Sequence, residues 1–209
     1  MNNVKIQIEE VGAAATLIAE KYQKSNHKMS ENSAILLYYG IISNTVNLNA
    51  NITTKRDKKM VEWLKNVCNR ISEEKIKEIF EKKSAIADNL REEMEIELKD
   101  QFMPISWSMG QLEITNVDEF LSKNENNIIK ILEEASKEKD VEYMSVNCLD
   151  VLNGYSVIVA LNKKTENLIS KILNVEFKDR KTKINQFMTR KEIVRKIREY
   201  LKIQLQLHW

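Results

Sequence analysis

Proline is nearly absent from this 209-residue chain, with one residue, and glycine is scarce, with four. That excludes collagen-like and low-complexity linker architectures, disfavours turn-rich all-β folds and points to long helices. Histidine occurs only as His27 and His208, and cysteine only as Cys68 and Cys148. The sequence has no CxxC or CxxH pair, so a structural zinc site of that spacing is excluded and the thiols read as small buried hydrophobes. An apolar run of membrane-spanning length is missing, as is a signal peptide, so no membrane partner is expected and a reducing cytoplasm is the simplest location. Charge of one sign is lacking too. The 33 Lys and Arg stand against 31 Asp and Glu, a net charge of +2, which gives no argument for nucleic acid.

What is present is a globular balance of 43% apolar and 31% charged residues, long enough for one large core or two small ones. Val4, Ile6 and Ile8 alternate with polar residues and read as a short strand. The Ala-rich run from Val11 reads as a helix to Gln23, its small side chains allowing close approach of another element. Ser33 to Val46 is apolar nearly all round and reads as a deeply buried helix. Thr54 with Asp57 resembles a capping box, Ser72 opens another helix, and Ala85 to Leu98 reads as a further one. The period then changes. Ile105, Trp107 and Met109 alternate, Gly110-Gln111 reads as a turn, and Leu112 and Ile114 alternate again. A long amphipathic helix over Glu119 to Lys139 follows, then strands over Val141–Leu152 and Tyr155–Leu161 joined at Asn153-Gly154. A helix over Thr165–Leu173, a strand over Lys183–Phe187 and a last helix from Thr189 to Gln206 complete the chain. The fold class is α/β (mixed α+β): a helical region, 1–70, a helical bridge, 71–99, and a domain with a mixed sheet flanked by helices, 100–209.

The sharpest chemical signal is at the last helix. Thr189 and Glu192 have capping-box spacing, yet Arg190 and Lys191 sit in the first turn. Cations there face the positive end of the helix dipole, which costs about 0.3–1 kcal/mol each when exposed. A bound anion reverses that sign, because free amides, an Arg fork and a Lys point charge at a helix start suit phosphate. Residues 178–202 carry ten Lys or Arg and three Asp or Glu, a basic run that attracts polyanions. The competing reading is a solvated basic face. Gly40 to Val46 closes the buried helix with Ser43, Asn44 and Thr45; Asn44 reads as a simple helix end, since a neutral amide is a poor ligand for a dication.

Three blocks together resemble a known family. Val11-Gly12-Ala13-Ala14-Ala15-Thr16-Leu17-Ile18-Ala19-Glu20-Lys21 is similar to the VGS/A-x-x-T-L-I-A-E-K stretch after the Asp-His-His motif of DHH-family phosphoesterases. Gly40-Ile41-Ile42-Ser43-Asn44-Thr45 with Thr53-Thr54-Lys55-Arg56-Asp57 resembles the IISDT…T-x-x-D block, and Thr189-Arg190-Lys191 resembles the C-terminal Ser-Arg-Lys segment. The pattern is that of manganese-dependent (type II) inorganic pyrophosphatases and prune-like exopolyphosphatases.

The resemblance implies phosphoanhydride hydrolysis, with manganese as cofactor and pyrophosphate or short polyphosphate as ligand. It implies Arg190, Lys191 and Thr189 as the phosphate-binding segment and Asn44 at the position of a metal-ligand Asp. A family Lys in a D-x-K segment falls at Phe102 in Asp100-Gln101-Phe102, with Lys99 available as its substitute. The family's His-x-x-x-Asp-x-Asp and Asp-His-His motifs are absent. The expectation is therefore the end of a DHH domain plus a complete phosphate-binding domain, truncated and inactive alone, with manganese held weakly. The alternative is a degenerate, non-catalytic phosphate-binding or protein-interaction module, in which an exposed sheet edge and apolar face would favour a homo-oligomer.

Overall fold

The computed structural model describes residues 6–25, 27–83, 89–101 and 105–206. They form two compact units, residues 1–79 and 80–209.

The first unit is helical: α1 (Ala14–Lys24), α2 (Glu31–Asn44), α3 (Lys55–Val67) and most of α4 (Glu73–Lys83), within which the boundary falls. Ser30 caps α2, its side chain accepting the Ser33 amide. Thr54 caps α3 in a complete capping box with Asp57, as its spacing predicts. Gly40 lets α1 and α2 approach closely, since a Cβ there would meet the Ala15 Cβ at 3.3 Å. Arg56 ties α3 to α1, donating to both Glu20 oxygens at 2.7 and 2.6 Å and reaching Glu9 at 2.7 Å.

Three expectations change here. Val4 lies outside the described residues, and Ile6 and Ile8 lie in irregular chain, 77% and 89% exposed, not in a strand. The reason is that no neighbouring strand is there to pair with them: among the described residues this unit has no strand, so the expected sheet edge is not found in it. Helix α2 buries only the face of Ala34, Tyr38, Ile41 and Ile42, while Leu36 is exposed.

The second unit is a five-stranded mixed sheet between helices. Its elements are α5 (Leu90–Glu97), β1 (Lys99–Gln101), β2 (Trp107–Ile114), α6 (Val117–Lys139), β3 (Tyr143–Asp150), β4 (Tyr155–Ala160), α7 (Lys163–Leu173), β5 (Lys181–Ile184) and α8 (Arg190–Gln206). The strands lie in chain order, antiparallel except for the parallel pair β2–β3, whose crossover is α6. Asn116 and Asn162 cap α6 and α7, each accepting the amide three residues on. One face of the sheet packs on α5 and α6 through Leu112, Ile114, Met144, Val146, Cys148, Val157 and Val159. The other packs on α7 and α8 through Trp107, Met109, Ile158, Ile169, Ile193 and Ile197.

Asp150, fully buried at the end of β3, knots the hairpin. It accepts the Leu152 and Asn153 amides at 3.2 and 2.8 Å and the Val117 amide at the start of α6 at 3.2 Å. Gly154 completes the turn with φ 74°, the left-handed conformation that the Asn-Gly signal implies.

The turn expected at Gly110-Gln111 does not exist, because β2 runs straight through it. The apolar alternation changes phase there because the strand changes the face it fills. Trp107 and Met109 fill the α7–α8 side, whereas Leu112 and Ile114 fill the α5–α6 side. Gly110 leaves room for Leu98 and Val146, 3.5 and 3.3 Å from the position of an added Cβ. Strand β1 was not foreseen, and β5 is shifted towards the N-terminus of its expected span. The start of the helix expected from Ala85 lies outside the described residues, as does Phe102.

A candidate phosphate-binding cavity

Polar residues on the α7–α8 face of the sheet fix the segment that leads into α8. Ser156 donates to the Gln186 carbonyl at 3.0 Å and accepts the Met188 amide at 2.9 Å. The buried Asn147 side chain donates to the Met188 carbonyl at 2.8 Å. Gln111, on the same face of β2 as Trp107 and Met109, accepts the Arg190 amide at 2.7 Å. The first turn of α8 thus has its start fixed from three strands. Glu192 accepts both the amide and the hydroxyl of Thr189 at 2.8 Å, the backward half of the capping box that the spacing predicts. Sequence reasoning missed Gln111, and with it the fact that the Arg190 amide is already satisfied. Thr189 serves the helix, and its hydroxyl proton is directed at Glu192.

Arg190 is only 19% exposed at its side chain. Its guanidinium donates to the Glu97 carbonyl, at the last turn of α5, and lies 3.3 Å from the Glu97 carboxylate. A cation suits that helix end, where carbonyls lack intrahelical partners. Lys191 next to it is exposed. Lys99, the first residue of β1, donates to the Ile96 carbonyl at 2.7 Å.

These three residues line one cavity of about 470 Å³ with Val194, Arg195, Arg198, Glu199 and Lys202. Six of its eight lining residues are cationic and one is acidic. Lys99, Arg190 and Lys191, far apart in sequence, are therefore brought together, and the substitute role considered for Lys99 is spatially available. The spacing of Arg195, Arg198 and Lys202 from Lys191 is the signal that extends the site along α8.

The other candidate block sits in the first unit. Asn44 is the last residue of α2 and is exposed. The chain then passes through three left-handed residues, Val46, Asn47 and Leu48, at φ 48°, 54° and 65°. Asp57, fully buried, accepts the Gly12 amide at 2.9 Å, the Thr16 hydroxyl at 2.5 Å, and the Thr54 amide and hydroxyl at 2.7 and 2.6 Å. Burial alone would raise its carboxyl pKa, but the hydrogen bonds from Thr16, Thr54 and Gly12 outweigh it and hold the group below the ordinary carboxylate range. Gly12 has no room for a side chain without a shift of its neighbours, because a Cβ would lie 2.7 Å from the Thr45 Cγ2 and 3.0 Å from the Asp57 Oδ2. The motif residues Gly12, Thr16, Thr45, Thr54 and Asp57 thus converge on one structural joint. The buried Asp57 carboxylate is thus engaged by four donors, three on Oδ2 and one on Oδ1. Among the described residues no three His, Cys, Asp or Glu side chains gather to hold a metal. Asn44 offers a neutral amide, and the described residues around it gather no donor set suited to a manganese centre.

No helix among the described residues is long and apolar enough to cross a membrane. No family model matches the chain. It is 30% identical over 196 residues to the manganese-dependent inorganic pyrophosphatase of Methanocaldococcus jannaschii, covering 88% of this chain and 62% of that protein. It is 24% identical over 187 residues to a Clostridium acetobutylicum protein assigned the same name, covering 89% of this chain and 60% of the relative. The structure superposes on a Methanococcus jannaschii protein assigned to the family II inorganic pyrophosphatases with a TM-score of 0.65 at 25% identity, over 93% of this chain and 68% of that one. The chain spans about 60% of the length of the curated relatives it matches. Over nearly nine-tenths of its own length this chain is a homologue of proteins named manganese-dependent inorganic pyrophosphatases, and its mixed α/β fold is similar to that of a family II member.

Proposed function

We propose that the chain binds the phosphates of pyrophosphate or a short polyphosphate through Lys99, Arg190 and Lys191, with Thr189 shaping the helix start. The observation that carries this reading is the convergence of those three cations on one cavity at the N-terminus of α8. Two of them come from a segment similar to the Ser-Arg-Lys of DHH-family phosphoesterases. A phosphoanhydride carries dense negative charge, and an Arg fork, Lys point charges and the helix dipole all oppose it. Arg190, braced by Glu97 and Gln111, acts as the fixed member of the clamp. Lys191, exposed and mobile in its four-carbon stem, closes on the ligand.

In this reading residues 100–209 act as the phosphate-binding domain, residues 71–99 as its bridge, and residues 1–70 as the remnant of a DHH domain. The relatives' manganese dependence then requires donors that the described residues do not assemble, so the chain alone holds manganese weakly and releases no phosphate from pyrophosphate. Asn44 also supports a second reading, a non-catalytic phosphate-binding module, whose binding is equally independent of metal. Calorimetric titration of pyrophosphate into the metal-free chain, beside Arg190→Ala/Lys191→Ala, tests the clamp. Binding that disappears in the double variant supports it, and equal heats from both proteins refute it. Manganese-dependent phosphate release by the purified chain would refute the claim of inactivity.

A further inference from the structure

The β3–β4 turn holds the sequence's only Asn-Gly pair, Asn153-Gly154. Such a pair has a chemistry of its own. The nitrogen of the glycine, with no Cβ beside it to hinder approach, attacks the side-chain carbonyl carbon of the asparagine. A bond forms between that nitrogen and Cγ, and the Cγ–Nδ2 bond breaks. The amide proton of the glycine leaves with the NH₂ group as ammonia, and a succinimide ring remains. Water then opens the ring at either carbonyl and leaves aspartate or isoaspartate. No oxidant or reductant takes part.

The fold opposes the first step and is undone by the last. The Gly154 amide donates to the Asp150 carbonyl at 2.9 Å, so the attacking nitrogen is engaged. The Asn153 side chain is drawn back onto Asp150, with Nδ2 donating to Oδ1 at 3.0 Å. Both restraints belong to the tip of the hairpin and are released together when it opens. Asn153 is exposed, so water and base reach it. After the reaction a carboxylate oxygen stands where Nδ2 stood, beside the fully buried Asp150 carboxylate. A donor has become a like charge, which two carboxylates in one site tolerate only at a cost. Isoaspartate also adds an atom to the main chain, in a hairpin whose strands pair as far as Asp150 and Tyr155. Asp150 accepts the Val117 amide at 3.2 Å as well, so a disturbance of the turn reaches the start of α6.

We infer that Asn153 is a deamidation site, gated by opening of the β3–β4 hairpin, whose product unlatches that hairpin from α6. The unmodified side chain latches the turn, and the modified one keeps it from closing again. The inference is independent of the phosphate reading, since none of these residues lines the α8 cavity.

The test follows the full chain in mildly alkaline buffer, with and without urea, by peptide mass mapping. Asn153 gains the deamidation mass in urea and does so about tenfold or more slowly in the folded chain, because reaction waits for local opening. Hydrogen exchange then reads the latch in two variants. Asn153→Asp reproduces one product, whereas Asn153→Ser keeps a donor and adds no charge. The Val117 and Leu152 amides, both bonded to Asp150, exchange about tenfold faster in Asn153→Asp than in Asn153→Ser, the effect expected of bonds to a charged group being lost. Circular dichroism verifies that both variants are folded. Equal deamidation rates in buffer and in urea overturn the gating, and no deamidation in urea overturns the site. Equal exchange at Val117 and Leu152 in the two variants overturns the unlatching.

Discussion

Replacing Asp57 by Asn tests the joint that holds the first unit. The carboxylate accepts four hydrogen bonds, from Gly12, Thr16 and twice from Thr54, and is shut off from solvent. An amide of the same shape keeps one acceptor oxygen and turns an NH₂ towards donors. At least one amide or hydroxyl then loses its partner in a buried place. Bonds to a charged group contribute about 1.5–3 kcal/mol each and are not additive, so the expected loss for the unit is about 3 kcal/mol. Native-state hydrogen exchange of the α1–α3 amides is the assay, since it reads this unit separately from the second.

The same carboxylate sets a pH dependence. Its folded pKa lies below the ordinary value of about 3.9 that it regains on unfolding. Its ionised form therefore contributes stability in full above about pH 4, and that contribution is lost as the pH falls through the lower, folded value. Asp57→Asn removes this part of the acid transition while lowering stability at neutral pH. A loss below about 1 kcal/mol in α1–α3, with an unchanged acid transition, would refute the assignment of Asp57 as the structural joint.

Gly12→Ala forces a Cβ to 2.7 Å from Thr45, so it should destabilise the first unit by about 1–3 kcal/mol, whereas Gly40→Ala, with 3.3 Å to Ala15, should cost clearly less in the same exchange experiment. Gln111→Leu strips the Arg190 amide of its acceptor and should lower the melting stability of the second unit by about 1–3 kcal/mol while weakening pyrophosphate binding. Cys148 is fully buried and its thiol is pushed up to about 12 by burial, and Cys68 is also buried. Neither should react with a thiol reagent at pH 8 in the folded chain, and both should react in urea.

Helices were the legible part of this sequence because their signals are local. The capping box at Thr54 and Asp57, the amphipathic period of α6 and the helix over 73–83 each depend on residues a few positions apart. The strands were legible only where alternation kept one phase. In β2 it did not, since the strand serves one helical layer with Trp107 and Met109 and the opposite layer with Leu112 and Ile114. A phase change has the same appearance in sequence as a turn, and only the presence of two layers separates them. The exposure of Ile6 and Ile8 has a related cause: alternation describes a strand only when another strand lies beside it.

The cavity divides along the same line. Arg190, Lys191 and the cations that follow them are neighbours on one helix, so their convergence can be read from spacing. Lys99, Glu97 and Gln111 reach that helix only through the order of the sheet and the packing of α5, which no local pattern encodes. The division has a physical consequence. The helix supplies charge, and the sheet and α5 supply position: Glu97 and Gln111 keep Arg190 at 19% exposure, while Lys191 and Lys202 remain exposed. In the proposed clamp the fixed guanidinium of Arg190 orients a phosphate, and the exposed Lys191 ammonium adds charge without a fixed direction. Selectivity for phosphate geometry should therefore reside in Arg190 and its braces, and the charge-driven share of the proposed binding in the exposed Lys191.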